Sequence, residues 1–198
     1  LGMVRRLGIN VAAVFDDVVT NPVESSARAA AEMYNESDCD GIIALGGGSP
    51  LDLAKIVALL AVHQPPLEQY AIVNGGAARI TGELPRMIAI PTTAGSGSEI
   101  GRAALLTLDS GEKLGFLSAK FLPAAVICDP ELTVSMPPGL TAGTGMDALS
   151  HCVETYLSTK INPVADAIAL DGLGRGWRNI RKAVDDGQNM EARAEMML

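Results

Sequence analysis

Aromatic residues are scarce in this chain of 198 residues, which holds three Phe, three Tyr and one Trp. Large rings therefore cannot fill the interior, and Ala, Val, Leu, Ile and Met must do so. With 48% of residues hydrophobic there are enough of them for one domain and the start of another. Cysteine is scarcer still. Cys39, Cys128 and Cys152 are odd in number and widely spaced, which argues against a disulfide framework or a thiolate zinc cluster and fits a reducing cytoplasm. Positive charge is short as well, with 15 Lys and Arg against 23 Asp and Glu, a net charge of −8. No basic stripe offsets this deficit, so a nucleic-acid partner is not expected. A dinucleotide stays open, because backbone amides hold a pyrophosphate without net positive charge. No apolar run reaches membrane-spanning length and no segment reads as a signal peptide. The chain starts at Leu1, and Met3 to Val14 reads as the middle of a fold, so truncation at its start is expected.

What is present is an alternation of strand and helix, with 21 glycines to supply tight turns. Val11 to Phe15 reads as a short strand, followed by the turn Thr20-Asn21-Pro22. Glu24 to Asn35 is Ala-rich and helical. Gly41 to Leu45 is a continuous apolar strand of the kind buried on both faces of a parallel sheet. Ser49 to Val62 is the next helix, and Met87 to Ile90 another strand. Ala103 to Leu108 and Lys113 to Leu117 flank Asp109-Ser110-Gly111 as a hairpin. Ala125 to Cys128 is a last short strand. Thr141 to Leu157 and Pro163 to Val184 are then helical with no strand between them. A boundary near Pro137-Pro138 divides an α/β domain, residues 1–136, from an all-helical one, residues 137–198. No internal repeat or low-complexity linker appears.

The most informative local stretch is GIIALGGGSPLDLAK, Gly41 to Lys55. A strand ends at Leu45, and Gly46, Gly47 and Gly48 permit a sharp bend and a close approach to a ligand. Ser49 suits an N-cap, Pro50 the first helical position, and Asp52 the capping-box position. Free amides at this helix start make an anion site. Leu51 stands where the Rossmann fingerprint needs a third glycine, and no Gly-Lys-Ser/Thr follows, so neither that motif nor Walker A is matched. Taken alone, the turn leaves both an empty βα bend and a phosphate site open. PTTAGSGSE, Pro91 to Glu99, is a second Gly-rich loop directly after a strand. Thr92, Thr93, Ser96 and Ser98 add hydroxyls to the bare amides of Gly95 and Gly97. Two such loops at the carboxyl ends of neighbouring strands form the crevice in which open α/β sheets bind ligands.

Asp147 and His151 are four residues apart and share one helical face. A carboxylate oxygen and an imidazole nitrogen suit Fe2+, or alternatively Zn2+, but at least one further donor is required. A helix-stabilising Asp–His contact is the competing reading. His63, the other histidine, lies at a helix end and reads as structural. Cys152 reads as a small packing residue, and Trp177 as one buried aromatic within a solvated face of arginines. Glu99 and Glu154 are bases in principle, but no substrate is placed near them.

Three stretches together, Gly46 to Lys55, Pro91 to Glu99 and Asp129 to Tyr156 (DPELTVSMPPGLTAGTGMDALSHCVETY), resemble the iron-containing (group III) alcohol dehydrogenase family in order and spacing. The resemblance covers essentially the whole chain. It implies an α/β Rossmann-like N-terminal domain followed by the start of an all-α C-terminal domain, the dehydroquinate synthase-like fold. It implies that Gly47, Gly48 and Ser49 hold the pyrophosphate of NAD or NADP, with Gly46 in the same cofactor-binding turn. Thr92, Thr93 and Ser96 are then expected to contact phosphate, ribose or nicotinamide, Lys113 the ribose, Leu132 the nicotinamide side and Asn21 the adenine. Asp147 and His151 match the first two metal ligands, and Asp52 serves the helix cap.

The expected activity is metal-dependent hydride transfer between a small alcohol or aldehyde and the nicotinamide, with catalytic side chains unassigned and no turnover from this chain alone. Homo-oligomerisation is left open. A glycerol dehydrogenase, maleylacetate reductase or dehydroquinate synthase-like relative, a non-catalytic nucleotide-binding fragment, and a piece without independent function are the alternatives.

Overall fold

The structure, a computed structural model, describes residues 2–198. The chain divides into two compact units. The first comprises residues up to Ala44, Ser49–Ala89 and Ser98–Val126; the second comprises Leu45–Gly48, Ile90–Gly97 and Ile127–Leu198.

The first unit is α/β. Its helices are α1 (Gly2–Arg6), α2 (Glu24–Glu36) and most of α3 (Gly48–Leu60). Its parallel sheet has the order β1 (Gly41–Gly46), β2 (Arg86–Pro91), β5 (Ala125–Val126). Strand β2 pairs in parallel with β5 through Ile88 and Ala125. At one end of β1 a Cβ on Gly41 would lie 3.2 Å from the Arg86 carbonyl, and at the other the Thr92 amide donates to the Gly46 carbonyl at 2.9 Å, so β1 and β2 also run the same way. Strands β3 (Ala103–Thr107) and β4 (Lys113–Leu117) form the antiparallel hairpin anticipated around Asp109-Ser110-Gly111. The poverty in aromatics shows in the core. Ala27, Ala30 and Ala31 of α2 and Leu53, Ile56 and Leu59 of α3 close around Leu106, Phe116 and Phe121.

Three expectations about this unit are corrected. Strand β1 is not buried on both faces: Ala44 packs under Leu51 and Ala54 of α3, whereas Ile43 and Leu45 are 42% and 58% exposed. β1 is an outer strand of the three, covered on one face only. Residues 11–15 alternate between half-buried and exposed, the pattern behind the strand reading, yet form no ladder among the described residues. Alternation needs a hydrogen-bonded neighbour to become a strand. Strand β5 stops at Val126 rather than Cys128.

The second unit is dominated by α4 (Pro138–Tyr156), α5 (Pro163–Asp185) and α6 (Met190–Met197). Helix α5 starts at Pro163 as expected, whereas α4 starts at Pro138, three residues before the expected Thr141, and α6 was not anticipated. Pro138 and Pro163 occupy first-turn positions, where the missing amide costs nothing. Asn162 and Asn189 cap α5 and α6 by accepting from the amides of Ala165 and Ala192. Helices α4 and α5 approach closely because Leu149 of α4 lies over Gly176 of α5, and Cys152 lies over Gly172. Burial raises the Cys152 thiol above its usual pKa, consistent with a packing role. Trp177 corrects its expectation, being 75% exposed rather than buried. No helix among the described residues is long and apolar enough to cross a membrane.

Candidate functional site

The glycine turn sits where strand β1 becomes helix α3. The helix starts at Gly48, one residue earlier than expected, and Ser49 does not cap it. The Ser49 hydroxyl instead accepts the Asn21 amide at 3.3 Å. Asn21 adopts the left-handed region, φ 56°, which a short polar side chain tolerates. Its side-chain oxygen accepts a hydrogen bond from Lys113 Nζ at 2.9 Å. The structure thus joins three of the sequence-predicted residues, Asn21, Ser49 and Lys113, into one hydrogen-bonded chain drawn from three distant segments.

A second set forms around Gly46, Gly47 and Gly48. The Thr92 amide donates to the Gly46 carbonyl, seating the start of the second Gly-rich loop beside the turn. A Cβ on Gly47 would stand 3.1 Å from Thr93 Oγ1, and one on Gly48 would stand 2.9 Å from Ser96 Oγ. Thr93 and Ser96 thus pack directly on these glycines, where any added side chain would push the two hydroxyls aside, a demand separate from any ligand. The result is a cradle edged by Thr92, Thr93 and Ser96 at the amino end of α3, where free amides favour an anion. The residues present fit a pyrophosphate by this chemistry.

The same loop reaches helix α4. A Cβ on Gly95 would lie 2.6 Å from the Thr144 carbonyl, so the loop backbone rests directly on that turn of the helix. Thr144, Asp147 and His151 follow at i, i+3 and i+7 and define one stripe of α4. Asp147 lies about 4.5 Å, and His151 about 10 Å, further along the helix axis.

Asp147 and His151 are half-exposed, with His151 Nε2 3.8 Å from Asp147 Oδ1. That separation is too long for a hydrogen bond but within ion-pair distance, so the contact offered as the competing reading stands beside the metal reading. Two donors on a common tetrahedral ion stand roughly 3.4 Å apart, given bonds of about 2.1 Å. The pair fits half of such a donor set. No group of three or more His, Cys, Asp or Glu that could hold a metal occurs among the described residues. His63 lies elsewhere and is fully occupied: Nδ1 donates to the Leu59 carbonyl at 3.1 Å, and Nε2 accepts the Thr81 amide at 3.1 Å. Leu132 occupies the turn Pro130–Thr133, is 37% exposed, and belongs to neither hydrogen-bonded set.

Sequence reasoning missed a buried polar knot within the first unit, built on α3. Lys55 is fully buried. Its Nζ donates to the Ser98 carbonyl at 2.7 Å, to Ser98 Oγ at 2.8 Å and to the Ala103 carbonyl at 2.7 Å. Ser98 Oγ donates in turn to Asp52 Oδ1 at 2.6 Å, and Asp52 Oδ2 accepts the Leu105 amide at 2.9 Å. Asp52 therefore ties α3 to the hairpin instead of capping its own helix, which corrects the capping-box reading. Burial lowers the Lys55 pKa, with the charges of Asp52 and Glu99 opposing that shift. The spacing of Asp52 and Lys55 on one helical face was the available signal.

The iron-containing alcohol dehydrogenase family matches over residues 2–130, and the C-terminal part of the same family over residues 141–198. The chain belongs to the iron-containing alcohol dehydrogenases. It is 54% identical over 96% of its length to 4-hydroxybutyrate dehydrogenase of Cupriavidus necator, and 41% identical over 99% to 1,3-propanediol dehydrogenase of Klebsiella pneumoniae, covering 50% of each. The crystal structure of a 1,3-propanediol oxidoreductase superposes with a TM-score of 0.93 at 41% identity, covering 99% of this chain and 50% of that one. That of sulfoacetaldehyde reductase from Bifidobacterium kashiwanohense, in complex with NAD+, gives a TM-score of 0.84 at 34% identity, covering 93% of this chain and 49% of that one. The chain spans about half the length of the curated relatives it matches.

Proposed function

We propose that this chain carries the dinucleotide cradle and half of the metal site of an NAD(P)-linked dehydrogenase acting on short-chain primary alcohols or the corresponding aldehydes. One observation carries the reading: a single loop donates from Thr92 to Gly46 at its start and rests at Gly95 on the helical stripe of Asp147 and His151. In this reading the amides of Gly47, Gly48 and Ser49 take the pyrophosphate, and Thr92, Thr93 and Ser96 orient phosphate, ribose and nicotinamide. Lys113, held by Asn21, reaches the ribose, while Leu132 flanks the nicotinamide. Asp147 and His151 hold a divalent ion, Fe2+ by family. Such an ion polarises the alcohol oxygen and lowers its pKa. The substrate class follows the names of the relatives at 54% and 41% identity. The three cysteines form no disulfide, which fits a reducing, cytoplasmic compartment.

The test is titration of the chain with NADH, followed by nucleotide fluorescence. Saturable binding that is weakened by Gly48→Val is expected. Fluorescence that stays unchanged at millimolar NADH would overturn the reading. With NAD+, Fe2+ and 4-hydroxybutyrate or 1,3-propanediol, two donors are expected to give no NADH formation, and turnover would show that the chain holds a complete site.

A further inference from the structure

Arg193 on α6 is the bulkiest of the fully buried side chains, 2% exposed. Its Nε donates to the Gly187 carbonyl at 3.0 Å, Nη1 to Thr141 Oγ1 at 3.0 Å and Nη2 to the Met136 carbonyl at 3.5 Å. All three acceptors are neutral. Its neighbour Arg175 has two carboxylates, Asp171 and Glu195, and Lys55 has Asp52. Burial alone shifts the Arg193 pKa, downward, and among the described residues no carboxylate opposes that shift. A guanidinium keeps its proton in proteins, so a full positive charge stays inside without an anion beside it. Such a charge is costly to bury, and a hydrophobic side chain of similar volume would remove that cost.

The surroundings suggest what the charge serves. Arg193 lines a cavity of about 10 Å³ with Ala94, Met136, Thr141, Thr144 and Met196. Ala94 lies in the Gly-rich loop between Thr93 and Gly95, and Thr144 is the residue on which Gly95 rests. The cavity is too small for a ligand, so Arg193 acts through the loop and not by touching what the loop holds. Its hydrogen bonds fix the first turn of α4 and the segment at Met136, and this holds Thr144 beneath Gly95. Its charge shares this cavity with Ala94 of the loop and is 2% exposed, so screening is weak.

We propose that Arg193 is a positioning residue for the loop Thr92–Ser96 and the internal counter-charge of the pyrophosphate that the loop receives. This rests on the dinucleotide reading above. A unit charge acting over roughly 10 Å at an effective dielectric near 20 corresponds to on the order of a tenfold change in affinity for one negative charge.

The test compares NADH with adenosine, used as a competing ligand without phosphate, on wild type, Arg193→Met and Arg193→Lys. Arg193→Met is expected to weaken NADH about tenfold while adenosine is unchanged, and Arg193→Lys to restore most of the loss. Equal losses for both ligands would reduce Arg193 to a packing residue and overturn the proposal, as would an unchanged NADH affinity in folded Arg193→Met. If Arg193→Met does not fold, Thr141→Val carries the test by removing the Nη1 acceptor. NADH is then expected to weaken about threefold with adenosine unchanged, and unchanged NADH affinity overturns the proposal. A wild-type chain without saturable NADH binding removes the dinucleotide reading and this inference together. Wild-type binding with an indifferent Arg193→Met removes this inference alone.

Discussion

The two glycine-rich loops and the Asp147–His151 pair are built to different degrees of completion. In the loops, each close approach is already made: Gly47 against Thr93, Gly48 against Ser96, Gly95 against the backbone of Thr144. The Asp–His pair lies half-exposed, its donor atoms 3.8 Å apart. Packing has fixed the first region before any ligand arrives, so substitutions against its backbone contacts should register as stability. The second is held only by its helix, so its substitutions should register only when a metal is supplied.

The largest expected effect is that of Gly95→Ala. Its Cβ would sit 2.6 Å from the Thr144 carbonyl, a backbone atom that cannot swing aside, so loop or helix must move. Overpacking of this kind costs about 1–3 kcal/mol. A urea or thermal melt should show that loss together with weakened NADH binding. A variant as stable as wild type would mean that the loop is not seated on α4, and the contrast between the regions would dissolve.

Next comes Lys55→Met. It deprives the carbonyls of Ser98 and Ala103 of their donor and removes the cation beside Asp52. Leaving buried acceptors unsatisfied costs roughly 1–3 kcal/mol, measured by denaturant unfolding. The variant also isolates a pH effect. The Lys55 pKa is lower in the folded chain than its ordinary value of 10.5, so the unfolded chain binds more protons between the two values. Stability then rises with pH across that window and falls again as pH drops through the lowered value. The stability of wild type relative to Lys55→Met should accordingly increase as pH is raised towards 10.5. A decrease would mean that the carboxylates, and not burial, dominate the Lys55 environment.

This knot also marks how far the sequence could be read. Helices α2, α4 and α5 and the β3–β4 hairpin were legible because their signals are local: an Ala-rich run, Pro at a helix start, Asp-Ser-Gly between two alternating segments. The two glycine loops and the shared face of Asp147 and His151 were legible for the same reason. What failed depended on distant partners. Asp52 looked like a capping carboxylate because the capping box is a four-residue pattern, and nothing within four residues announces Ser98 or Leu105. Val11 to Phe15 carried a strand's alternation without a strand's neighbour. Arg193 drew no reading at all, because its partners Thr141 and Met136 lie more than fifty residues away in the chain.

Gly48→Ala sharpens the comparison from within the first region. Its Cβ would stand 2.9 Å from Ser96 Oγ, the end of a side chain that can rotate away. The stability cost should stay below about 1 kcal/mol. Rotation would turn the Ser96 hydroxyl out of the cradle, and a group moved by about 1 Å can forfeit much of its contribution to an oriented site. NADH binding should therefore weaken while the melting temperature barely moves, the reverse of the balance expected for Lys55→Met.

The smallest effect on stability is expected from His151→Ala. Both side chains of the pair are half-exposed, and their separation exceeds hydrogen-bonding distance. Exposed pairs of this kind contribute little, and the metal-free variant should melt within about 0.5 kcal/mol of wild type. Added Fe2+ or Zn2+ should separate the two chains, because an ion that binds only the folded form stabilises it by mass action. Two donors make that binding weak, so the wild-type melting temperature should rise only at high metal concentration and the variant's should rise less. A marked loss of stability in metal-free His151→Ala would decide for the helix-stabilising role of the pair. An identical response of both chains to metal would remove His151 from the donor set and leave the glycine loops as the only part of the site this chain builds.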